Sequence, residues 1–323
     1  MKAIVRDTYG SPDVLELRDI DIPEVADDEV LVRVHAAGVG RDVWHVMTGL
    51  PYPIRLAGYG FREPNNPVIG SDMAGVVEAV GNNVSRFQPG DEVFGIGKGS
   101  YAEYVCAPED KLALKPANLT FEQVAVVAIM GSTALQALRD HGKVRPGQEV
   151  LIIGASGGVG TYAVQIAKAF GAQVTGVCST KKVEMVRSIG ADRVIDYTQE
   201  DFAAGDQRYD LIVDIGGNSS LARLRRALAP RGTLVITGGE GGGRWLGGTD
   251  RQLRALALSP FVSQKLATFV ASENHEDLLV LKELIESGKI TPVIDRSYPL
   301  SEVPEAIRYL EGGHAKGKVL ITV

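Results

Sequence analysis

The chain has 323 residues, of which 45% are hydrophobic, and this length exceeds what one ordinary core organises. We therefore expect a globular protein of two domains. The formal net charge of −6 argues against a nucleic-acid partner. No apolar run approaches the roughly 20 residues of a membrane span, which argues against a membrane partner.

The chain has only two cysteines, Cys106 and Cys178, and they lie far apart in sequence. A disulfide framework needs more, closely spaced cysteines. The opening residues resemble a strand and lack the apolar core of a signal peptide. We therefore expect a cytoplasmic protein.

The first third of the chain consists of short strand-like runs separated by turns. Alternating or small apolar residues predict strands at 2–5, 30–34, 74–81 and 101–106, and a Pro-Gly-Asp turn at 89–91 leads into another. Strands of this spacing are typical of a partly closed antiparallel barrel.

The pattern changes near Leu119, where strand-like runs give way to helical ones. Thr120 to Gln123 form a capping box that opens an apolar helix reaching toward Ala137. From residue 148 onward, strand and helix patterns alternate, which is typical of βαβ units and a parallel sheet with helices on both faces. The tail from Ser301 contains a helix and a last strand, which can complete either domain.

A glycine-rich turn, Gly154 to Gly160, follows the predicted buried strand 149–153 and leads directly into a helix. This strand, turn and helix are the context of a nicotinamide dinucleotide site, because the helix N-terminus presents N–H groups and partial positive charge to a pyrophosphate. The cofactor-binding residues predicted in the turn are Ala155, Ser156, Gly157, Gly158 and Val159. The alternative is a glycine-rich turn that binds nothing.

The end of the second strand favours NADP(H) over NAD(H). An NAD site places a carboxylate there to bind the ribose 2′-hydroxyl, but this chain has two hydroxyl residues and two lysines. Such groups suit a 2′-phosphate through charge-assisted hydrogen bonds. The predicted residues are Ser179, Thr180, Lys181 and Lys182, although one of the lysines alternatively belongs to a solvated helical turn.

Further motifs give a resemblance to a known family. They are the segments 76–81, 87–93, 157–160, 190–197 and 210–217. Together they cover nearly the whole chain, which resembles the medium-chain dehydrogenase/reductase superfamily, near its zinc-independent quinone oxidoreductase branch that includes zeta-crystallin.

The resemblance implies an α/β fold with a GroES-like β-barrel catalytic domain and a Rossmann domain with a doubly wound parallel sheet. The GroES-like domain would comprise residues 1–122 and 293–323, and the NADP-binding domain would comprise residues 123–292. An active-site cleft would lie between the two domains.

The resemblance also implies roles for single residues. Ser179 and Lys182 would bind the 2′-phosphate, and Tyr197 would lie near the adenosine end. Ser132 is either a phosphate or nicotinamide contact or a simple helix cap. Three glycines at or just past strand ends would line the ribose and the nicotinamide: Gly216, Gly238 and Gly239.

The ligand positions of zinc-using relatives carry other residues in this chain. Gly40 follows Ala36-Ala37-Gly38-Val39, the Gly-His-Glu triplet is Gly70-Ser71-Asp72, and the third position falls near Ile129 and Met130. A lone carboxylate does not make a zinc site, so we expect no metal. Without a Lewis acid, hydride transfer suits an electron-poor acceptor such as a quinone or an enone.

The segment 44–61 supplies candidates for the pocket of a planar acceptor. Its aromatic residues are Trp44, Tyr52, Tyr59 and Phe61. Tyr52 is the first candidate for a hydrogen-bond donor to the acceptor oxygen, and His45 is the second. Alternatively, these side chains fill the core of their own domain or cover a loop.

Two segments of the second half have further candidate roles. The glycine-rich stretch 238–248, with Arg244 and Trp245, predicts either a flap over the nicotinamide or a surface loop. Residues 264–270 alternate polar and apolar and predict an edge strand, which favours a homodimer through pairing with its copy.

The leading hypothesis is an NADPH-dependent reductase of quinones or activated alkenes. One alternative is a zinc-free, NADP-dependent alcohol or carbonyl dehydrogenase. Another is an NADPH-binding protein without catalytic activity, either a sensor or a structural protein. These three hypotheses differ in what a bound nicotinamide does.

Overall fold

Short strands build the first third of the chain in the computed structural model, which describes residues 1–239 and 243–323. A two-stranded sheet pairs β1 (Lys2–Val5) with β2 (Glu16–Asp19). A larger sheet begins with the following strands: β3 (Glu29–Val39), β4 (Asp72–Val80), β5 (Glu92–Ile96), β6 (Tyr104–Pro108) and β7 (Leu112–Leu114). Neighbouring strands among these five run antiparallel.

The alternation of residues along β3 explains how this sheet forms a core. Val30, Val32 and Val34 are buried and contribute to one apolar cluster, while Arg33 between them faces solvent. Successive strand residues point to opposite faces, so a period of two gives one apolar face. The cluster also includes Met73 from β4 and Val105 from β6.

Three helices follow or interrupt these strands: α1 (Arg41–Thr48), α2 (Phe121–Val124) and α3 (Ala128–Gln136). The predicted capping box is confirmed, since the Thr120 hydroxyl accepts from Gln123 N and the Gln123 side chain accepts from Thr120 N. The prediction of one continuous helix from there to Ala137 is wrong, because α2 ends at Val124 and α3 begins at Ala128.

A parallel sheet occupies the second half of the chain. Within the residues that the structure describes, its six strands follow the order β10-β9-β8-β11-β12-β13. Every neighbouring pair is parallel. The strands are β8 (Glu149–Ile153), β9 (Gln173–Cys178), β10 (Arg193–Asp196), β11 (Tyr209–Asp214), β12 (Leu228–Ile236) and β13 (Lys265–Thr268).

The helices of this half alternate with its strands, as the sequence predicts. They are α4 (Gly158–Ala169), α5 (Val183–Ser188), α6 (Leu221–Ala227), α7 (Gly243–Leu246) and α8 (Thr249–Leu258). The direction of strand succession reverses beside β8, which has β9 on one side and β11 on the other. Ligands of such sheets bind outside the carboxyl ends of the strands at this reversal.

The C-terminal tail completes the sheet that contains β3. Its elements are α9 (His275–Glu286), β14 (Ile294–Pro299), α10 (Val303–Glu311) and β15 (Lys318–Thr322). β15 pairs antiparallel with β3 and parallel with β14. Of the two domains that the tail can complete, the structure therefore selects the strand-rich one.

The chain divides into two compact units. The first contains Met1–Ser132, Glu273–Ser287 and Pro292–Val323, and the second contains Thr133–Ser272 and Gly288–Thr291. This division differs from the predicted boundaries at 123–132 and 273–287, which belong to the first unit because α2 contacts β3 and β4, and α9 contacts β7. The predicted ranges of the GroES-like domain and the NADP-binding domain therefore stay a prediction.

No helix in the described part of the chain is long and apolar enough to cross a membrane.

The predicted edge strand at 264–270 is confirmed as β13, the last strand of the parallel sheet.

Candidate functional site

The glycine turn lies where the sequence predicts it, between β8 and α4. Gly154 has a left-handed φ of +88°, and Gly157 precedes the first helical residue. A Cβ on Gly160 would lie 2.1 Å from Gly154 O, so only glycine allows the helix to begin this close to the strand. Glycine at position 160 therefore makes the close packing of the helix on the strand possible.

The neighbouring strand holds the beginning of this turn. Val177 O accepts hydrogen bonds from Gly154 N at 3.2 Å and from Ala155 N at 3.1 Å. Ala155 and Ser156 are buried, while Gly157, Gly158 and Val159 are half-buried. The turn is thus anchored at its start and reaches solvent at its end.

The half-buried end of the turn has the properties of a phosphate cradle. A Cβ on Gly157 would meet only Gly154 O within 4 Å, at 3.6 Å, so the space before the helix is open. No side chain caps the helix there. The first N–H groups of a helix lack intrahelical acceptors and carry partial positive charge. These residues fit the pyrophosphate of a dinucleotide.

The four predicted phosphate-binding residues follow β9 directly. Ser179 precedes a short 3₁₀ turn formed by Thr180, Lys181 and Lys182, and Lys182 N donates to Ser179 O. Lys182 is half-buried and Lys181 is exposed. The structure therefore brings these residues together at the carboxyl end of a strand beside β8.

A carboxylate from the next strand also reaches this group. Asp196, at the end of β10, accepts a 2.6 Å hydrogen bond from Thr180 Oγ1. This hydrogen bond lowers the pKa of Asp196, so the carboxylate is charged at neutral pH. Inspection of the end of β9 alone missed it, although Asp196 stands opposite Cys178 in the parallel pairing.

Tyr197 follows Asp196 and remains close to the end of β9. Its backbone N donates to Cys178 O at 3.1 Å, and its side chain is 59% exposed. An exposed ring beside the turn 179–182 is available to contact an adenosine.

Burial, reinforced by Asp196, raises the pKa of Cys178 to about 11, so its thiol is unreactive at neutral pH.

The three predicted glycines follow the ends of β11 and β12. Gly216 N donates to Ile153 O, and a Cβ on Gly154 would lie 3.0 Å from Gly216 N. A Cβ on Gly238 would lie 2.1 Å from Ile215 O. The backbones after three neighbouring strands therefore approach each other closely, and Gly239 continues the last of them.

A buried ion pair that the sequence reasoning missed lies among these loops. Asp214 ends β11 with no solvent exposure, and Arg251 of α8 pairs with it through Nη1. Burial raises the pKa of Asp214, and the guanidinium opposes that rise. An arginine 37 positions away gives no local sequence signal for this pair.

Ser132 is buried in the middle of α3, which excludes the predicted alternative of a helix cap. Its hydroxyl has no hydrogen-bond partner in residues 1–239 and 243–323. A buried hydroxyl without a partner is costly unless something else binds it.

The predicted flap at 238–248 is described only in part, since residues 240–242 lie outside the described residues. Arg244 and Trp245 belong to α7 and are exposed. A Cβ on Gly248 would lie 2.6 Å from the carbonyl carbon of Gly239, so the two ends of the segment approach each other.

On α1, Trp44 and His45 contact each other edge to face at 5.1 Å between ring centroids. Trp44 Nε1 donates to Glu311 Oε1, and His45 Nδ1 donates to Leu50 O at 2.7 Å. The indole N–H of Trp44 and Nδ1 of His45 therefore already have partners within the protein. His45 therefore retains only Nε2 for another contact.

The other aromatic candidates lie in the following loop. The Arg55 guanidinium lies 5.0 Å from the Tyr52 ring and 4.3 Å from the Tyr9 ring. Tyr9 Oη lies 2.7 Å from Tyr59 O. Arg55 and Tyr9 therefore link the ring of Tyr52 to the backbone of Tyr59. Phe61, in contrast, is 68% exposed.

The three positions that match zinc ligands in relatives do come together. A Cβ on Gly40 would lie 2.6 Å from Met130 Cε, and Asp72 Oδ1 accepts from Ile129 N at 2.8 Å. Lys318 of β15 supplies a cation that the sequence reasoning missed, with Nζ 3.2 Å from Asp72 Oδ2. Both side chains are only 2% exposed.

In the described part of the chain, no three His, Cys, Asp or Glu side chains form a metal-binding group. Instead, Asp72 is held by a backbone N–H and an ammonium.

A surface pocket of about 410 Å³ lies at the amino ends of β8 and β11, opposite the glycine turn. It contains none of the predicted site residues. Its lining includes Gly142, Gln148, Asp210, Arg231 and Thr233. The glycine turn is the better candidate because ligands of these sheets bind at the carboxyl ends.

Comparisons with known proteins agree with this geometry. Residues 26–117 match the family model of the alcohol dehydrogenase GroES-like domain, and residues 189–321 match that of zinc-binding dehydrogenases. The latter description belongs to the family model, since the expected ligand positions of this chain carry Gly40, the triplet Gly70-Ser71-Asp72 and the region of Ile129 and Met130.

Two curated relatives align with nearly the whole chain. The NADPH-dependent alkenal/one oxidoreductase of Arabidopsis thaliana chloroplasts is 35% identical over 99% of this chain and 79% of its own. The quinone oxidoreductase of Homo sapiens is 33% identical over 99% of this chain and 97% of its own. The Escherichia coli quinone oxidoreductase complexed with NADPH superposes with a TM-score of 0.84 at 27% identity, covering all of both chains.

The Asp72–Lys318 pair generates a stability prediction. Lys318→Met leaves a buried carboxylate without its cation, and we expect it to lower the free energy of unfolding by about 3–5 kcal/mol. Lys316→Met, at an exposed position of the same segment, is the control and should change it little. Chemical denaturation measures both.

The loss should also depend on pH. Burial raises the pKa of Asp72 to about 6, and Lys318 opposes that rise, so the pKa of Asp72 should be higher still in Lys318→Met. A carboxyl whose folded pKa lies above its unfolded value costs stability as pH rises past the unfolded value of about 3.9. The unfolded value is the same in both proteins, so the deficit depends only on their folded pKa values. It should therefore shrink as pH falls toward about 6, below which Asp72 is protonated in both folded proteins, and a deficit that is constant with pH would contradict this account.

Proposed function

The chain belongs to the medium-chain dehydrogenase/reductase superfamily, in its quinone oxidoreductase branch, and we propose that it is an NADPH-dependent, zinc-independent reductase of quinones or activated alkenes. The observation that carries this proposal is the open glycine turn beside a strand end with hydroxyls and lysines. The names of the Arabidopsis and human relatives agree with both the cofactor and the acceptor class.

The residues of the second unit would hold the dinucleotide by its phosphates. Backbone N–H groups of Gly158 and Val159 would bind the pyrophosphate at the start of α4, while Gly157, whose own N–H donates to Gly154 O, would leave room for it. Ser179, Thr180, Lys181 and Lys182 would bind the 2′-phosphate, and Tyr197 would contact the adenosine. Ser132, the last residue of the first segment of the first unit, would find the partner of its buried hydroxyl in the cofactor. Gly216, Gly238 and Gly239 would leave room for the ribose and the nicotinamide.

NADPH supplies a hydride, and the protein's task is to orient the acceptor and stabilise its developing oxyanion. We propose that Tyr52 donates a hydrogen bond to the acceptor oxygen, with His45 Nε2 as the second candidate. Trp44, Tyr59 and Phe61 would provide apolar contact for a planar acceptor.

The residues at the zinc-ligand positions favour an already activated acceptor. Gly40 has no ligand atom, and both oxygens of Asp72 have partners in Ile129 N and Lys318 Nζ. An unactivated alcohol needs a Lewis acid or a strong base to lose its proton during oxidation. A quinone or an enone needs only a hydrogen bond at its oxygen and a proton.

We also propose a homodimer, with pairing along the outer edge of β13. α8 packs along β13 and carries Leu253 and Leu256, which are largely exposed. Phe261 and Val270, which flank β13 in sequence, are more than four-fifths exposed. An unpaired strand edge beside exposed apolar side chains favours a second copy.

We propose a cytoplasmic location and a small-molecule acceptor as the partner, without nucleic acid or membrane. The two cysteines are unpaired, which agrees with a reducing compartment. The net negative charge would repel nucleic acid.

The first test of this function is turnover. With NADPH, purified protein should reduce members of a panel of quinones and enones, and Tyr52→Phe should lower kcat about 10- to 100-fold because the oxygen-side donor is lost. Tyr104→Phe is a control in the same unit. Turnover of simple aldehydes but not quinones would favour the dehydrogenase alternative, and tight NADPH binding without any turnover would favour the non-catalytic one.

The second test concerns the 2′-phosphate. Lys182→Ala should weaken NADPH binding about 10- to 100-fold and NADH binding much less, because one charge-assisted hydrogen bond is lost. Isothermal titration with both cofactors measures this. Equal losses for the two cofactors would contradict the assignment.

Asp196→Asn should act in the opposite direction. Its charge lies beside Thr180, so its removal should strengthen NADPH binding about fivefold relative to NADH. Lys181→Ala, at the exposed neighbour, should have a smaller effect than Lys182→Ala.

The dimer has its own test. Sedimentation should give twice the chain mass of 34.5 kDa, and Phe261→Asp combined with Val270→Asp should give monomers, because a charge in an apolar interface is strongly unfavourable. Ile22→Asp, at an exposed apolar position of the first unit, is the control. A monomeric wild type at micromolar concentration would contradict the proposal.

A further inference from the structure

The buried pair of Asp214 and Arg251 holds more than one segment of the second unit. Nη1 of Arg251 bonds to Asp214 Oδ2 and also donates to Ser219 O at 3.0 Å, while Nη2 donates to Gly238 O at 2.9 Å. On the other side, Asp214 Oδ1 accepts from Gly217 N at 3.3 Å. One guanidinium therefore connects α8, the loop after β11 and the loop after β12.

These two loops leave the carboxyl ends of strands on one side of β8. They carry Gly216, whose backbone N would lie 3.0 Å from a Cβ on Gly154, and Gly238, where a Cβ would lie 2.1 Å from Ile215 O. In a packed backbone of this kind, a small displacement of one loop displaces the other. In the sheet order, β8 separates these loops from β9 and β10, whose ends carry the proposed phosphate-binding residues 179–182 and Tyr197.

The chemistry of the pair suits positioning better than stability. An apolar pair of similar volume often stabilises a core as well as a buried ion pair does. It cannot, however, donate two hydrogen bonds to loop carbonyls from one rigid planar group, as arginine can. Lysine has the charge but not the planar fork.

We propose that Arg251 is a positioning residue that fixes the loops 215–219 and 237–239 for the nicotinamide half of the cofactor. The proposal rests on the proposed function, because it takes the glycines of these loops to lie beside the nicotinamide and its ribose. It predicts that loss of the guanidinium weakens binding of the whole dinucleotide and leaves binding of its adenosine half intact.

The test compares two ligands on two variants. Arg251→Lys keeps the buried charge but removes the fork. The double variant Asp214→Asn with Arg251→Gln replaces the ion pair by two neutral amides and so leaves no unpaired charge. Arg254→Gln is the matched control, since Arg254 lies on the same helix in an exposed ion pair with Asp250. The ligands are NADPH and 2′,5′-ADP, which has the 2′-phosphate but no nicotinamide.

We expect each Arg251 variant to bind NADPH at least about tenfold more weakly and 2′,5′-ADP within about twofold of wild type, with Arg254→Gln unchanged for both. Thermal unfolding identifies which variants are folded. A folded Arg251 variant with unchanged NADPH affinity would overturn the proposal, as would equal losses for the two ligands, which indicate damage to the whole unit. Failure of the wild type to bind either ligand would instead reject the proposed function itself.

Discussion

The close approach of backbone at Gly154 and Gly160 is the constraint on which the nucleotide-binding unit depends. With a Cβ on Gly160 only 2.1 Å from Gly154 O, any other residue would push α4 away from β8. Because the helix begins so close to the strand, its first N–H groups face the carboxyl edge of the sheet, where the strand order reverses. The same edge brings Gly216 beside Gly154, and a Cβ on Gly154 would lie only 3.0 Å from Gly216 N. A backbone surface of this kind suits a dinucleotide, whose pyrophosphate needs amide donors and whose rings need room.

Charged groups then differentiate the two ends of that surface. At β9 and β10, lysines and hydroxyls stand beside the ionised Asp196, so the attraction of the proposed site for a 2′-phosphate would be set by a balance of charges rather than by lysine alone. At β11 and β12, the opposite charges of Asp214 and Arg251 neutralise each other in the interior. The pair acts there through its hydrogen bonds to the backbone. One end of the site therefore selects by electrostatics, and the other depends on geometry.

Local patterns in the sequence predicted the elements well because their causes are local. The capping box at Thr120, the strand–turn–helix at 149–169 and the edge strand β13 each depend on residues within a few positions of one another. The pairs that complete the sites join distant residues: Thr180 and Asp196 are 16 positions apart, and Asp72 and Lys318 are 246 apart. No periodicity marks such partners, since only the pairing of β9 with β10 and of β15 with β3 brings them together. For the same reason the aromatic segment 44–61 was recognised as a group, while its contacts with Arg55 and Tyr9 were not.

Lys318 explains how Asp72 is accommodated in the interior of a chain that lacks the zinc ligands of its relatives. A carboxylate in the interior is costly unless it is paired and hydrogen-bonded. Here β15 carries the cation, and it completes the same sheet whose strand β3 leads to Gly40. One oxygen of Asp72 accepts a hydrogen bond from Ile129 N and the other from Lys318 Nζ. Binding a metal would therefore require breaking both interactions. A fixed ammonium with a buried carboxylate partner is not an open Lewis acid, because it has no vacant coordination position for a substrate oxygen. Under the proposed function, activation of the acceptor would fall to hydrogen-bond donors, and this favours acceptors that are electron-poor before they bind.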